Sequence, residues 1–124
     1  YFITYHTTAV LVLRRIMTSG IPAAKLLYFP AVFIIGYFWA WMETKAMANP
    51  LMSKTFYYQN IPAMLAYGSV IYATYFVASF PIFYNLDEKA AARWDLYKTI
   101  AAGFSASMLT FYLLDLCAWL VGSI

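Results

Sequence analysis

The chain has 124 residues, of which 65% are apolar and only 10% are charged, with a formal net charge of +3. Soluble domains are about half apolar and about a quarter charged, and a domain this small leaves too much surface exposed to bury so many apolar side chains. The composition therefore argues against an ordinary soluble domain and makes lipid the natural solvent. The small, dispersed positive charge argues against a nucleic-acid partner.

The charge-free runs predict an all-α fold, a polytopic transmembrane helical bundle forming one domain over residues 1–124. A helix needs about 20 mostly apolar residues to cross roughly 30 Å of hydrocarbon, which gives about four spans. The first, about residues 1–13, is short and begins with Tyr1 inside an apolar run, so the chain reads as a fragment of a longer protein. The second, about 26–48, holds Glu43 and Lys45 near an interface. The third, about 63–86, starts beside Pro62. The fourth, about 99–122, accommodates one carboxylate, Asp115. Pro30, Pro62 and Pro81 fall near span ends, where a proline starts or kinks a helix at little cost. Gly103 and Ser107, flanked by alanines, form a small-residue face suited to close helix contact. In the last loop, Asp87 is expected to cap a short interfacial helix with Glu88 in its first turn, and Trp94 and Tyr97 to sit at headgroup level.

Much chemistry is excluded. One histidine cannot make a histidine-rich metal site, and no Gly-rich phosphate loop or GxSxG elbow occurs. The single cysteine, Cys117, has no partner for an internal disulfide. No cofactor and no metal are expected. What remains is acid–base chemistry, transport or a structural role.

The informative groups are ionisable residues at membrane depth, which are costly in lipid and usually face a bundle interior. They are His6, Glu43 and Asp115. Glu43 and Asp115 each lie roughly 25 Å along their helices from a basic residue, Lys25 and Lys98, at about 1.5 Å per residue. His6 is about 12 Å from Arg14 on the same rise. Equal depth leads to the expectation that Glu43 and Asp115 face inward and approach one another. Trp39 shares a face with Glu43 one turn away. Tyr72, Phe76, Ser79, Phe80 and Phe83 make a stripe on the third span, with Tyr75 and Ser79 at i and i+4. Packing, or an interfacial aromatic belt, explains such a stripe equally well. Glu43 can also be read as an interfacial carboxylate near Lys45, and His6 as a hydrogen-bonding partner for a neighbouring helix.

The stretch Tyr72-Ala73-Thr74-Tyr75-Phe76-Val77-Ala78-Ser79-Phe80-Pro81-Ile82-Phe83 runs into Asp87-Glu88-Lys89 and then Trp94-Asp95-Leu96. It resembles the C-terminal half of the cycloeucalenol cycloisomerases, the cyclopropyl sterol isomerases. Tyr5-His6, Leu13-Arg14-Arg15, Glu43-Thr44 and Leu114-Asp115-Leu116 match in the same order. The resemblance implies a membrane enzyme, in a eukaryote one of the endoplasmic reticulum. Such enzymes open the 9β,19-cyclopropane ring of cycloeucalenol to give obtusifoliol without a cofactor. It also implies that the family's N-terminal half is a missing partner of this chain, beside the bilayer and the sterol. An acid must protonate the carbon that becomes the C19 methyl, and a base must remove the C8 proton from the C9 cation. By residue type, Glu43, Asp115 and His6 are the candidate catalytic groups, and Trp39, Tyr72, Tyr75, Phe76 and Ser79 the candidate sterol-binding wall. The alternatives are a non-catalytic sterol-binding or transport-type membrane protein, or a purely structural bundle. Paired broken helices of the kind transporters use are not evident.

Six basic residues flank the first and last loops (Arg14, Arg15, Lys25; Lys89, Arg93, Lys98), against Lys45 and Lys54 in the middle one. By the positive-inside rule the first and last loops are cytoplasmic. In sealed microsomes, a cysteine introduced at Lys98 should react with an impermeant thiol reagent from the cytoplasmic side, and one at Lys54 should not. The reverse labelling pattern would overturn this orientation.

Overall fold

The structure, a computed structural model, describes residues 2–88 and 94–121. It is helical throughout its regular elements: α1 (Phe2–Met17), α2 (Ala24–Met47), α3 (Ile61–Ala63), a π-helical turn (Met64–Gly68), α4 (Ser69–Glu88) and α5 (Leu96–Val121). Three stretches, Ala24–Met47, Ile61–Leu86 and Leu96–Leu120, are long and apolar enough to cross a membrane. The chain is thus an all-α polytopic membrane protein. The expected four spans are three full-length helices and one shorter one, since the 16 residues of α1 rise only about 24 Å.

Local chemistry sets the helix boundaries. After α1, Gly20 takes φ +72°, a left-handed conformation that costs glycine little and turns the chain before Pro22. Past α2, the Asn49 side-chain oxygen accepts from the backbone N–H groups of Leu51 (2.9 Å) and Met52 (3.2 Å), fixing a turn at Asn49-Pro50. Asn60 then caps α3 by accepting from Ala63 N–H at 3.0 Å, with Pro62 in the first turn. The π turn follows at once, and α3, π turn and α4 form one continuous rod. Directly after it the Ser69 hydroxyl is buried and has no hydrogen-bond partner among the described residues. Asp95 caps α5 by accepting from Lys98 N–H at 2.7 Å. Pro30 and Pro81 lie inside α2 and α4. The expectation that all three prolines lie near span ends therefore holds only for Pro62, and each of the other two removes one intrahelical hydrogen bond.

The central contact is α2 against α4. Val32, Gly36, Ala40 and Thr44 recur every four residues, and all are buried. This row of mostly small residues lets the two backbones approach, so that a Cβ placed on Gly36 would come within 3.0 Å of Phe76 Cβ and 3.6 Å of Ala73 O. On the facing side, Ala73, Phe76 and Phe80 are fully or almost fully buried, with the Phe76 and Phe80 rings stacked at 5.0 Å. α1 adds Tyr5, Ala9 and Leu13, again four residues apart, to the same core. An ion pair between Arg14 and Glu88, with Arg14 Nε 2.6 Å from Glu88 Oε1, ties the end of α1 to the end of α4.

Two further expectations change. The close helix contact uses Gly36 and Ala40 on α2. Gly103 on α5 has nothing within 4 Å of an added Cβ, because α5 packs only against α4 and no described residue of it is buried. Glu88 closes α4 instead of opening an interfacial helix. The Asp87 side chain and residues 89–93 lie outside the described residues.

Gly36→Leu should therefore force the α2–α4 seam apart and cost about 1–3 kcal/mol, the usual range for overpacking. Gly103→Ala should leave stability unchanged or raise it slightly, since alanine favours helix over glycine. Melting temperatures in detergent check both. Equal losses at the two sites would refute the assigned contact.

Candidate functional site

The site grows from one face of α4. Tyr72, Tyr75 and Ser79 stand at i, i+3 and i+7, positions that line up along a helix. Two of the three meet an ionisable residue from another helix. Tyr72 Oη donates to Glu43 Oε2 of α2 at 3.0 Å. Ser79 Oγ lies 3.0 Å from His6 Nε2 of α1. The other His6 nitrogen, Nδ1, is 2.9 Å from the Phe2 carbonyl. A carbonyl only accepts, so Nδ1 carries the proton, and in the neutral ring Nε2 accepts from the Ser79 hydroxyl. His6 is fully buried and boxed by rings, with Phe2, Phe83 and Phe80 centroids at 4.0, 4.6 and 5.1 Å. Each pair satisfies polar groups that would otherwise be costly at this depth.

Both pairs face open space. Glu43 and Tyr72 border a cavity of about 500 Å³ walled by Met47, Phe56, Met64 and Leu114. His6 and Ser79 border a second of about 500 Å³, between α1, α4 and α5, with Tyr75, Phe83, Gly103 and Ser107. A smaller one of about 200 Å³ lies between them, lined by Phe2, Tyr5, Glu43, Tyr72, Tyr75 and Phe76. Volumes of this order hold small ligands, and apolar walls with a few placed polar groups are typical of such sites. The face of Gly103 and Ser107, read from sequence as a packing surface, is a cavity wall.

The expected residues fall into two sets. His6, Glu43, Tyr72, Tyr75 and Ser79 come together along α4, and Phe76 lies beneath them in the core, touching only the small cavity. Trp39 and Asp115 do not join them. Trp39 Nε1 donates to Thr8 Oγ1 at 3.0 Å and its ring lies 4.8 Å from that of Tyr5, so it fastens α2 to α1 and borders none of the three cavities. The expected approach of Asp115 to Glu43 fails. Asp115 is exposed on α5, and α5 makes no contact with α2. The reason is helical phase: Leu114 and Ala118, one turn apart, face the Glu43 cavity, and Asp115 is rotated about 100° away from Leu114. Equal depth therefore did not mean equal azimuth. Sequence reasoning also missed Phe2, Met47 and Met64, which carry no signal beyond apolarity.

Among the described residues no group of three or more His, Cys, Asp or Glu side chains converges as a metal site would require. The chemistry available is proton transfer and hydrogen bonding, by one carboxyl–phenol pair and one imidazole–hydroxyl pair in an aromatic enclosure.

The chain is similar over nearly its whole length to the curated cycloeucalenol cycloisomerase of Arabidopsis thaliana, with 36% identity over 130 residues, or 99% of this chain. The resemblance drawn from the short sequence pieces thus extends from end to end. The chain spans less than half of that relative, 44% of its length. No protein-family model matches the chain, and no solved structure matches it.

Because Trp39 bridges two helices and borders none of the three cavities, Trp39→Leu should lower the detergent melting temperature, with a cost of about 1–3 kcal/mol for a truncated, partly buried aromatic and its lost hydrogen bond. Uptake of an apolar fluorescent probe into the three cavities, per folded molecule, should stay at the wild-type level. Weaker binding at unchanged melting temperature would return Trp39 to the site.

Proposed function

We propose that this chain is the catalytic portion of a cyclopropyl sterol isomerase, a membrane enzyme that opens the 9β,19-cyclopropane ring of cycloeucalenol to give obtusifoliol, in the endoplasmic reticulum if its source is a eukaryote. The similarity over 99% of the chain carries the reading. The Glu43–Tyr72 pair supports it, as a proton-carrying group held in an apolar, aromatic cavity. The remainder of the protein, corresponding to the part of the relative that this chain does not span, completes the enclosure.

The reaction is a proton relocation. In its protonated form the Glu43 carboxyl, whose Oε2 accepts from Tyr72, gives its proton to C19. The C9–C19 bond breaks as C19–H forms, and C9 becomes cationic. The proton on neighbouring C8 then leaves to the Glu43 carboxylate, and its electron pair forms the C8=C9 double bond. The carboxylic acid is restored, no electrons are exchanged, and no cofactor is consumed. Reactant and product share one composition, so the protein need only position the acid and keep water from the cation. The Tyr5, Tyr72, Tyr75 and Phe76 rings around the small cavity offer faces that stabilise a cation by up to about 2 kcal/mol each when desolvated. Asp115, on the exposed face of α5, has no role in this scheme.

The test is conversion by the full-length protein in microsomes of a strain that lacks the activity. Cycloeucalenol should become obtusifoliol without added nucleotide or metal. Glu43→Gln should lower turnover by at least about 10²-fold, the scale of lost acid–base catalysis, and Asp115→Asn by far less. An unchanged cycloeucalenol pool with the protein inserted and folded would reject the isomerase reading. Full activity in Glu43→Gln would move the acid elsewhere.

A further inference from the structure

The three cavities share walls. Glu43 and Tyr72 border both the methionine-lined cavity and the small one. Phe2 and Tyr75 border both the small one and the cavity of His6 and Ser79. Tyr72 and Tyr75 are one turn apart on α4, so the three spaces line up as one slot beside that helix. From Met64 to Leu86 it follows roughly 33 Å of helix, longer than any compact ligand needs and suited to an extended one.

The two ends of the slot differ in chemistry. Around Met47, Met64, Ile71 and Leu114 the wall is thioether and aliphatic; beside Glu43 the Thr44 hydroxyl donates to the Ala40 carbonyl at 2.8 Å and the Tyr72 hydroxyl to Glu43 itself at 3.0 Å, and Tyr58 also borders this end. At the other end the hydroxyls of Thr99, Ser107 and Thr110 each donate to a carbonyl of the turn before, at 2.8–3.0 Å. Ser79 is unlike them. Its proton goes across to His6 Nε2, because His6 Nδ1–H is held by Phe2 O. The Ser79 oxygen is therefore left with lone pairs and a fixed direction, a neutral acceptor in an apolar wall. Such an atom recognises a hydroxyl donor.

We propose that an elongated apolar alcohol lies along α4 with its hydroxyl donating to Ser79, its reacting ring at Glu43 and Tyr72, and its alkyl tail between Met47 and Met64. His6 acts through Ser79, as a positioning residue that sets the direction of the hydroxyl. Tyr72 and Ser79 are seven residues apart, about 10.5 Å along the helix. Two fused six-membered rings with a contact at either end fill that distance. The identity of the alcohol as a cyclopropyl sterol rests on the isomerase reading, whereas its orientation rests on the two ends of the slot.

The experiment compares cycloeucalenol with its 3-O-methyl ether, which keeps the oxygen and loses the donor, as competitors of a fluorescent sterol on the full-length protein in nanodiscs. Wild type should bind the ether about tenfold more weakly, the effect of one lost hydrogen bond. Ser79→Ala should bind the two alike, with the larger kinetic change in KM, and Ser79→Thr should restore the preference. Glu43→Gln should keep the preference while losing turnover. Equal binding of the two ligands by wild type, or a preference kept in Ser79→Ala and lost in Glu43→Gln, would overturn the orientation. The wild-type comparison needs no substitution, so a misfolded variant does not decide it. A Ser79-dependent preference without any ring opening would reject the isomerase reading and uphold the orientation. Ring opening without the preference would do the opposite.

Discussion

The close approach of α2 and α4 at Gly36 is the constraint from which the rest follows. Without a Cβ at that point, the helices meet along Val32, Gly36, Ala40 and Thr44, and Phe76 and Ala73 fill the space opposite. Lipid gives no hydrophobic force to hold two apolar helices together, so contact of this kind, dense and backbone to side chain, has to do so. Its geometric result is that Glu43, next to Thr44 at the end of the row, reaches Tyr72. α1 packs against both helices of the seam, and along the same face of α4 it brings His6 to Ser79. One seam thus fixes the azimuth of both polar pairs.

The pairs show how polar chemistry is tolerated inside an apolar body. A lone carboxyl or imidazole there is costly, and a hydrogen bond to a neutral partner reduces that cost while keeping the group able to move a proton. Phenol and serine hydroxyl serve as those partners. The arrangement differs from an ion pair such as Arg14 and Glu88, where charges compensate each other at the helix ends and hold the bundle together. The Arg14–Glu88 link and the capped turns at Asn49 and Asn60 set the frame. The inner pairs sit within it, next to space a ligand can use.

Much of this was legible in the sequence. Charge-free runs located the helices to within a few residues, because a membrane span is set by length and composition alone. His6, Glu43 and the Tyr72–Ser79 stripe stood out because an ionisable or hydroxyl side chain is conspicuous in an apolar run. Which group meets which was not legible. That depends on the rotation of each helix about its axis, and a position such as Asp115, similar in depth to Glu43, ends up exposed by a turn of about 100°. The small-residue motif failed for a related reason. Gly36 and Ala40 are spaced much like Gly103 and Ser107, yet only the first row has a helix to meet, and composition cannot say which row is chosen. Trp39, one turn from Glu43, was drawn instead to Thr8 and Tyr5, since an indole N–H in an apolar setting goes to the nearest acceptor.

The π turn at Met64–Gly68 bears on all of this through register. Each π turn takes up one residue more than an α turn, as its hydrogen bonds run from i to i+5. Asn60 and Pro62 anchor the chain before it, and the seam with α2 anchors the chain after it. The extra residue takes up the offset between these two ends. A one-residue deletion in Met64–Gly68 would let the rod run as a plain α-helix. Either the loop end or the whole of α4 would then have to rotate by about 100°, swinging Tyr72 away from Glu43 and Ser79 away from His6 together. A short irregular stretch outside both pairs therefore acts as the phase setting for both, and a change in its length would be felt at the two pairs together.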